Sequence, residues 1–171
     1  GWQRHQVPVE SVLLGQQRKL GFILDPKQIA AAAHAISALG LSELSSRSMT
    51  TLSGGQHQLV LLAQRLQSSP ALLMLDESTS ALDIRHQIQV FGILREYAVR
   101  TGALVLITIH DLNLASRETD SILLLDRGRL VDCGSKEQVL TAEAIRQAYG
   151  VEVELFQSKC GNTVIFPTSC R

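Results

Sequence analysis

The chain has 171 residues, of which 45% are hydrophobic and 19% are charged, so it can bury one sizeable core and lacks the composition of a disordered protein. Its 16 basic and 16 acidic residues balance, which excludes a broad positive field that would attract nucleic acid or an anionic membrane. The longest apolar runs are strand-length, far short of the roughly 20 residues of a membrane-spanning helix. Three cysteines without C-x-x-C spacing favour neither a disulfide framework nor a zinc site, and a reducing compartment fits better.

Two helices are predicted in the first part of the chain. Asp25-Pro26 is typical of a helix start, and apolar residues then repeat at helical spacing, which predicts a helix over about 26–39. Ser53 can cap a second helix, whose apolar positions recur three and four residues apart until a proline stops it. No clear strand precedes about Thr50, so we expect a helical lobe there. The apolar positions of the second helix are Leu59, Leu62, Ala63 and Leu66.

The pattern then changes to that of an α/β core. ALLMLDE (71–77) and ALVLITIHD (103–111) are continuous apolar runs that end in polar residues, and a helix-compatible stretch over about 84–100 separates them. This order predicts strand, helix and parallel strand, with strands buried on both faces. SILLLDRGRLVDCG predicts a hairpin around 126–128, residues 136–149 predict two short helices, and the remainder predicts a terminal hairpin. The fold class is therefore a layered α/β architecture.

Reactive side chains follow both apolar runs. Asp76 and Glu77 come at the carboxyl end of the first strand, where open α/β sheets bind ligands. Asp76 is suited to hold Mg²⁺, which prefers one or two carboxylates plus phosphate oxygens, and Glu77 to orient or deprotonate an attacking water. His110 follows the next strand, where an imidazole can hydrogen-bond a terminal phosphate or that water. The alternative is two solvated acids and a solvent-facing histidine.

Ser53, Gly54 and Gly55 precede the second predicted helix and suggest an anion site. A helix start offers unpaired N–H groups and a partial positive charge. Two successive residues without Cβ let a phosphate approach the backbone, and the serine adds a hydroxyl donor. An ordinary serine cap followed by flexible glycines is the alternative.

Taken together, four motifs resemble the nucleotide-binding subunit of ABC transporters. They are LSGGQ at 52–56, LLMLDE at 72–77, SALD at 80–83 and His110, which correspond in order to the signature motif, Walker B, the D-loop and the switch histidine. The resemblance implies a P-loop-NTPase-like (RecA-like) parallel sheet that lacks its P-loop portion. It also implies three domains: a helical subdomain over 1–68, an α/β catalytic core over 69–150, and a C-terminal hairpin or tail over 151–171.

The resemblance further implies ATP and Mg²⁺ as cofactors and assigns roles to nine residues. The family dimerises head to tail with nucleotide between subunits, so the signature residues would contact the γ-phosphate of ATP held by a partner. Ser53 and Gly55 would contact the γ-phosphate, and Gly54 and Gln56 would belong to the same nucleotide-binding motif. The other implied roles are Mg²⁺ binding for Asp76, general base for Glu77, a link between sites for Asp83, γ-phosphate sensing for His110, and, for Gln3, that of the Q-loop glutamine, which touches Mg²⁺ and the membrane domain. A surface glutamine is the alternative for Gln3.

VLLG at 12–15, AYGVEVEL at 148–155 and GNTVIFP at 161–167 look like the branch that imports iron-siderophores, haem and cobalamin. The implied partners are transmembrane permease subunits and a second ATP-binding subunit, most simply in a homodimer, with no nucleic acid. The implied location is the cytoplasmic face of the plasma membrane, reached through the permease. The alternatives are an ABC ATPase that acts on nucleic acid or ribosomes, and a degenerate, non-catalytic remnant.

The chain also departs from the family pattern. No G-x-x-x-x-G-K-[ST] occurs, and the family places this P-loop ahead of position 1, so we expect a cropped chain that does not hydrolyse ATP alone and lacks the usual adenine-stacking aromatic. Ser78 replaces the usual proline, and Leu59 and Gln64 replace common arginines, which would loosen a turn and alter packing behind the signature helix. Loss of the P-loop strand and helix would expose apolar strands and favour association.

Overall fold

A computed structural model describes residues 36–37, 39–44, 47–76 and 82–170. The predicted helix over 26–39 lies almost wholly outside these residues, as do the candidate site residues Gln3 and Glu77 and the departure at Ser78. The chain divides into two compact units, Gly1–Thr108 and Ile109–Arg171. This division coincides with neither domain boundary expected from the resemblance, and those boundaries stay a prediction.

Every predicted helix and strand that falls on the described residues is confirmed. In the first unit, short 3-10 turns at Ser42–Leu44 and Met49–Thr51 precede α1 (Gly54–Gln67), β1 (Leu72–Leu75), α2 (Ile84–Thr101) and β2 (Leu104–Ile107). In the second unit the order is α3 (Leu112–Glu118), β3 (Ser121–Asp126), β4 (Arg129–Ser135), α4 (Lys136–Val139), α5 (Ala142–Tyr149), β5 (Val151–Gln157) and β6 (Thr163–Cys170).

The first unit is built on a parallel pair of strands with helices packed against it. β1 and β2 pair in parallel, with Leu72 opposite Leu104 and Leu75 opposite Ile107, as the strand-helix-strand pattern predicts. Burial of each large apolar side chain contributes about 1.5 to 3 kcal/mol, and the buried cluster joins α1, β1 and α2. Its members on these elements are Leu59, Val60, Leu62, Ala63, Leu73, Leu75, Val90 and Leu94.

One sequence prediction about these strands is wrong. β1 is buried on one face only: Leu73 and Leu75 are buried, whereas Leu72 is 50% exposed and Met74 is 63% exposed. Leu104 of β2 is also exposed, at 57%. Within the described residues, helices cover the face that carries Leu73 and Leu75, and the opposite face stays open. These exposed side chains are apolar, and the association expected from exposed apolar strands stays a prediction.

The second unit consists of two antiparallel hairpins, with α3 before the first hairpin and α4 and α5 between the two. β3 pairs with β4 around the turn at Arg127-Gly128, and β5 pairs with β6. Ile165 of β6 is 4% exposed and packs with Leu140 and Ile145 in a small core. In the part of the chain that the structure describes, no helix combines the length and apolar character that crossing a membrane requires.

Candidate functional site

The start of α1 places the signature motif in a capping box, which confirms that Ser53 caps this helix. Ser53 Oγ accepts a hydrogen bond from the Gln56 backbone N–H at 3.3 Å, and Gln56 Oε1 accepts one from the Ser53 N–H at 3.0 Å. The first turn of any helix has N–H groups without intrahelical partners, and this box satisfies two of them. Within the described residues, no hydrogen bond is formed by the N–H groups of Gly54 and Gly55.

Gly54 is exposed, and nothing in its own surroundings requires a glycine. It lies in helical backbone, and a Cβ built on it would meet no heavy atom within 4 Å. A residue with a side chain would favour the helix more than glycine does. Packing among the described residues therefore does not explain the missing Cβ of Gly54, and its absence leaves the backbone N–H of this residue open to a group from outside. The Ser53 hydroxyl, which accepts from Gln56, keeps its own proton to donate.

Asp76 directly follows β1 and is exposed. The Thr108 hydroxyl donates a hydrogen bond to Asp76 Oδ1 at 2.7 Å, and Thr108 directly follows β2. The carboxyl ends of the two parallel strands thus meet at one edge, as the sequence predicts, and a carboxylate projects there. Sequence reasoning did not single out Thr108. Its available signal was its place as the first polar residue after the second apolar run.

Asp83 caps α2, a role that the sequence analysis did not assign to it. Its Oδ1 accepts hydrogen bonds from the His86 backbone N–H at 2.9 Å and from His86 Nδ1 at 2.8 Å. The backbone N–H of His86 and then its ring lower the pKa of Asp83, so its carboxylate stays charged. Asp83 remains exposed, and α2 therefore begins with a fixed acidic group at its surface.

His110 is exposed, comes three residues after β2 and directly precedes Asp111, the N-cap of α3. Asp111 Oδ1 accepts from the N–H groups of Asn113 and Leu114, which defines where α3 begins. His110 lies in the second unit and Asp76 in the first, so the expected approach of these two residues stays a prediction. The roles expected for Gln3 and Glu77 also stay predictions.

Asn113 and Ser116 hold α3 against β6, and sequence reasoning missed both. Asn113 Nδ2 donates to the Ile165 carbonyl at 3.1 Å, and Asn113 Oδ1 accepts from the Ile165 N–H at 2.8 Å. The Ser116 hydroxyl, on a side chain that is 1% exposed, donates to the Thr163 carbonyl at 2.6 Å. The helix that follows His110 is therefore anchored to the terminal hairpin by side chains.

The described side chains are suited to bind Mg²⁺ only when a nucleotide supplies further ligands. Among the described residues, no group of three or more His, Cys, Asp or Glu side chains could hold a metal ion. Mg²⁺ commonly keeps several waters and takes one or two carboxylates plus phosphate oxygens, so a single carboxylate is a sufficient protein ligand when phosphates are present. Asp76 at the strand edge fits that requirement, and a metal site made of protein groups alone does not.

Comparison with known proteins shows which family this sequence resembles. Residues 3–80 match the ABC transporter family. The cobalamin import ATP-binding protein BtuD of Halobacterium salinarum is 38% identical over 72% of this chain and 31% of its own length. The hemin import ATP-binding protein HmuV of Pseudomonas fluorescens is 44% identical over 78% of this chain and 52% of its own length. The chain thus spans about a third to a half of the length of these curated relatives.

A solved structure gives the same result for the fold. A metal-chelate type ABC transporter in an inward-facing conformation superposes with a TM-score of 0.79 at 27% identity, covering 96% of this chain and 68% of that one. The fold is that of an ATP-binding cassette. Residues 3–80 thus match the ABC transporter family, and the chain is similar to ATP-binding subunits of importers in that family.

Proposed function

We propose that this chain supplies the signature half of an ATP site in an ABC importer, with the other half supplied by a second ATP-binding subunit. In this proposal ATP binds between two subunits arranged head to tail, and its hydrolysis drives the transport of a metal chelate through a membrane permease. The chelate is an iron-siderophore, haem or cobalamin. Support for this substrate class comes from the relatives, whose names specify cobalamin and hemin, and from the metal-chelate transporter of similar fold.

One observation carries the proposal: α1 begins with the backbone N–H groups of Gly54, which is exposed, and Gly55, which is half-buried, and neither group has a hydrogen-bond partner among the described residues. Three hydrogen-bond donors lie together at the positive N-terminal end of this 14-residue helix: the backbone N–H groups of Gly54 and Gly55 and the hydroxyl of Ser53. Such an end binds phosphate, because its N–H groups point outward and the helix dipole favours negative charge. A γ-phosphate presented by a partner subunit supplies the acceptor oxygens, and Gln56 keeps the serine in place through the capping box.

The remaining candidate residues take roles in nucleotide binding and hydrolysis. Asp76 binds Mg²⁺, which when present neutralises charge on the phosphate oxygens. Glu77 accepts the proton of the attacking water, and His110 donates a hydrogen bond to the γ-phosphate. Asp83 presents its carboxylate at the start of α2, where it links the two ATP sites of the dimer. Gln3 contacts Mg²⁺ and the permease.

The 171 residues contain no G-x-x-x-x-G-K-[ST], so they lack the loop that would enclose the phosphates on the same subunit. We therefore expect these residues to act in trans and not to hydrolyse ATP by themselves. The partners are a permease and an ATP-binding subunit that has a P-loop. A permease on the cytoplasmic face of the plasma membrane brings the chain to the membrane.

A complementation experiment tests this function. The partner is a hemin import ATP-binding subunit that has an intact P-loop but whose own signature motif has been disabled. Two copies of this partner therefore cannot form an ATP-bound dimer with each other. The 171-residue chain is mixed with this partner, Mg²⁺ and a non-hydrolysable ATP analogue, and the mass of the complex is measured by light scattering. A one-to-one complex that forms with the ATP analogue and not with ADP is the expected result.

Two controls decide the interpretation of this experiment. Ser53→Ala together with Gly54→Glu should abolish the complex, because the variant loses a donor and gains a like charge. The chain alone, incubated with ATP, should release no phosphate. Association that is independent of nucleotide, or failure of any complex to form with a partner shown to bind the analogue, contradicts the proposal.

A further inference from the structure

A hydrogen bond between two side chains that are 32 residues apart joins the ends of β1 and β2. The Thr108 hydroxyl donates to Asp76 Oδ1 at 2.7 Å, and both residues are exposed. No other hydrogen bond or ion pair holds the Asp76 carboxylate within the described residues. One side chain from the neighbouring strand therefore determines how this carboxylate is oriented.

The strand register explains why these two side chains meet. Leu75 and Ile107 form the last pair of the parallel ladder, so Asp76 and Thr108 come next in register. The Thr108 N–H donates to the Leu75 carbonyl at 3.0 Å, which continues the ladder beyond the last paired residues. Residues that are side by side in register project to the same face of a sheet, so the backbone brings the hydroxyl and the carboxylate together.

The Thr108 hydroxyl restricts the rotation of the Asp76 side chain. Asp76 is exposed, and an exposed carboxylate samples several rotamers. Threonine is β-branched and stiff at χ1, so its hydroxyl is a well-placed donor. A hydrogen bond from a hydroxyl to a carboxylate is charge-assisted and short, which holds Oδ1 and leaves Oδ2 to bind another group.

We propose that Thr108 is a positioning residue for the metal-binding carboxylate: its hydroxyl holds Asp76 in the orientation in which Oδ2 binds a divalent cation. The proposal rests on the assignment of Asp76 as the Mg²⁺ ligand. Groups that orient a metal ligand without touching the metal change metal affinity by about 10- to 100-fold when they are removed. A hydroxyl that only tied the strands together would affect stability and leave the affinity at Asp76 unchanged.

Three variants test the role of the hydroxyl. Thr108→Val removes the donor and keeps the shape, Thr108→Ser keeps the donor, and Thr101→Val is the matched control, since the Thr101 hydroxyl donates to the Tyr97 carbonyl in α2. The probe is Mn²⁺ together with the non-hydrolysable ATP analogue, which supplies the phosphate oxygens, followed by NMR through paramagnetic broadening of the Asp76 amide signal. Asp76→Asn identifies which broadening comes from this carboxylate. The Asp76 χ1 rotamer is measured from couplings in the metal-free chain.

In Thr108→Val we expect Asp76 to exchange among several χ1 rotamers. The Mn²⁺ concentration that broadens the Asp76 signal to half its height should rise by about 10-fold or more. Thr108→Ser and Thr101→Val should behave like the unaltered chain. An unchanged rotamer and unchanged Mn²⁺ response in Thr108→Val would overturn the positioning role. No Asp76-dependent broadening in the unaltered chain would instead overturn the magnesium assignment, and the positioning proposal with it. The metal-free rotamer measurement distinguishes these two failures. If Asp76 samples several χ1 rotamers in Thr108→Val although no Asp76-dependent broadening occurs, the hydroxyl orients the carboxylate but the carboxylate does not bind the metal.

Discussion

A negative charge at the start of α1 is the sharpest perturbation of the proposed γ-phosphate contact. Gly54→Glu places a carboxylate where a Cβ meets no heavy atom within 4 Å, so the fold has room for it. An acidic residue in the first turn of a helix is stabilising by about 0.3 to 1 kcal/mol. The variant should therefore fold at least as well as the unaltered chain, and any loss of nucleotide-dependent association has a local cause.

The size of the loss follows from Coulomb's law. A carboxylate about 6 Å from a phosphate oxygen costs about 0.7 kcal/mol per unit charge at the dielectric constant of water and about 2.8 kcal/mol at an effective value of 20. Because 1.4 kcal/mol is about tenfold in affinity, the partner complex should weaken by about 3- to 100-fold. The penalty should shrink at high ionic strength, since about 1 M salt reduces the Debye length to about 3 Å.

Gly92→Glu is the matched control, because Gly92 lies within α2 and a Cβ there also meets no heavy atom within 4 Å. Both variants are titrated against the P-loop partner with the ATP analogue, and the dissociation constants are compared at low and high salt. Thermal unfolding checks that both variants fold. If Gly54→Glu and Gly92→Glu associate equally well, or if both weaken to the same extent, the reasoning about α1 is wrong.

Three further predictions concern the described residues. Asn113→Leu should lower the free energy of unfolding by about 1 to 3 kcal/mol in urea titrations, because it leaves the Ile165 N–H and carbonyl unpaired; an unchanged midpoint would mean that this bridge adds nothing. Asp83→Ala should cost about 0.5 to 2 kcal/mol by loss of the α2 cap, and Asp83→Ser should recover most of it, which thermal unfolding measures; equal values for the two variants would contradict the capping role. The hydrogen bond from Arg146 lowers the pKa of Glu143, so its contribution is present above the unfolded pKa of about 4.3 and is lost as pH falls through the folded pKa. Glu143→Gln should therefore reduce the loss of stability on acidification below about pH 4.3, and identical acid unfolding curves would refute this.

Local sequence signals were sufficient for most of the described fold. Ser53 followed by Gln56 three positions later satisfies the spacing of a capping box, so the start of α1 could be predicted from adjacent residues. The parallel pairing of β1 and β2 followed from two apolar runs with a helix between them. In each case the determining contacts are close in sequence or repeat with a period that the residues themselves show.

Contacts between distant residues could not be predicted in this way. The bond from Thr108 to Asp76 depends on the register of two strands, and the bridge from Asn113 to Ile165 spans 52 residues. The one-sided burial of β1 was also missed, because the run at 72–75 is apolar at every position and shows no alternation. Burial there depends on which helices cover the sheet, and a uniform run carries no information about that.

The central claim is that the open amides at the start of α1 receive a phosphate held by a second subunit. The most direct measurement follows the NMR signals of the Gly54 and Gly55 amides while the P-loop partner is added with the ATP analogue, and again with ADP. The account predicts that both signals shift downfield only with the ATP analogue, and that the Gly92 signal in α2 stays in place. A complex that forms with the ATP analogue while the Gly54 and Gly55 amides keep their positions and exchange rates would contradict it.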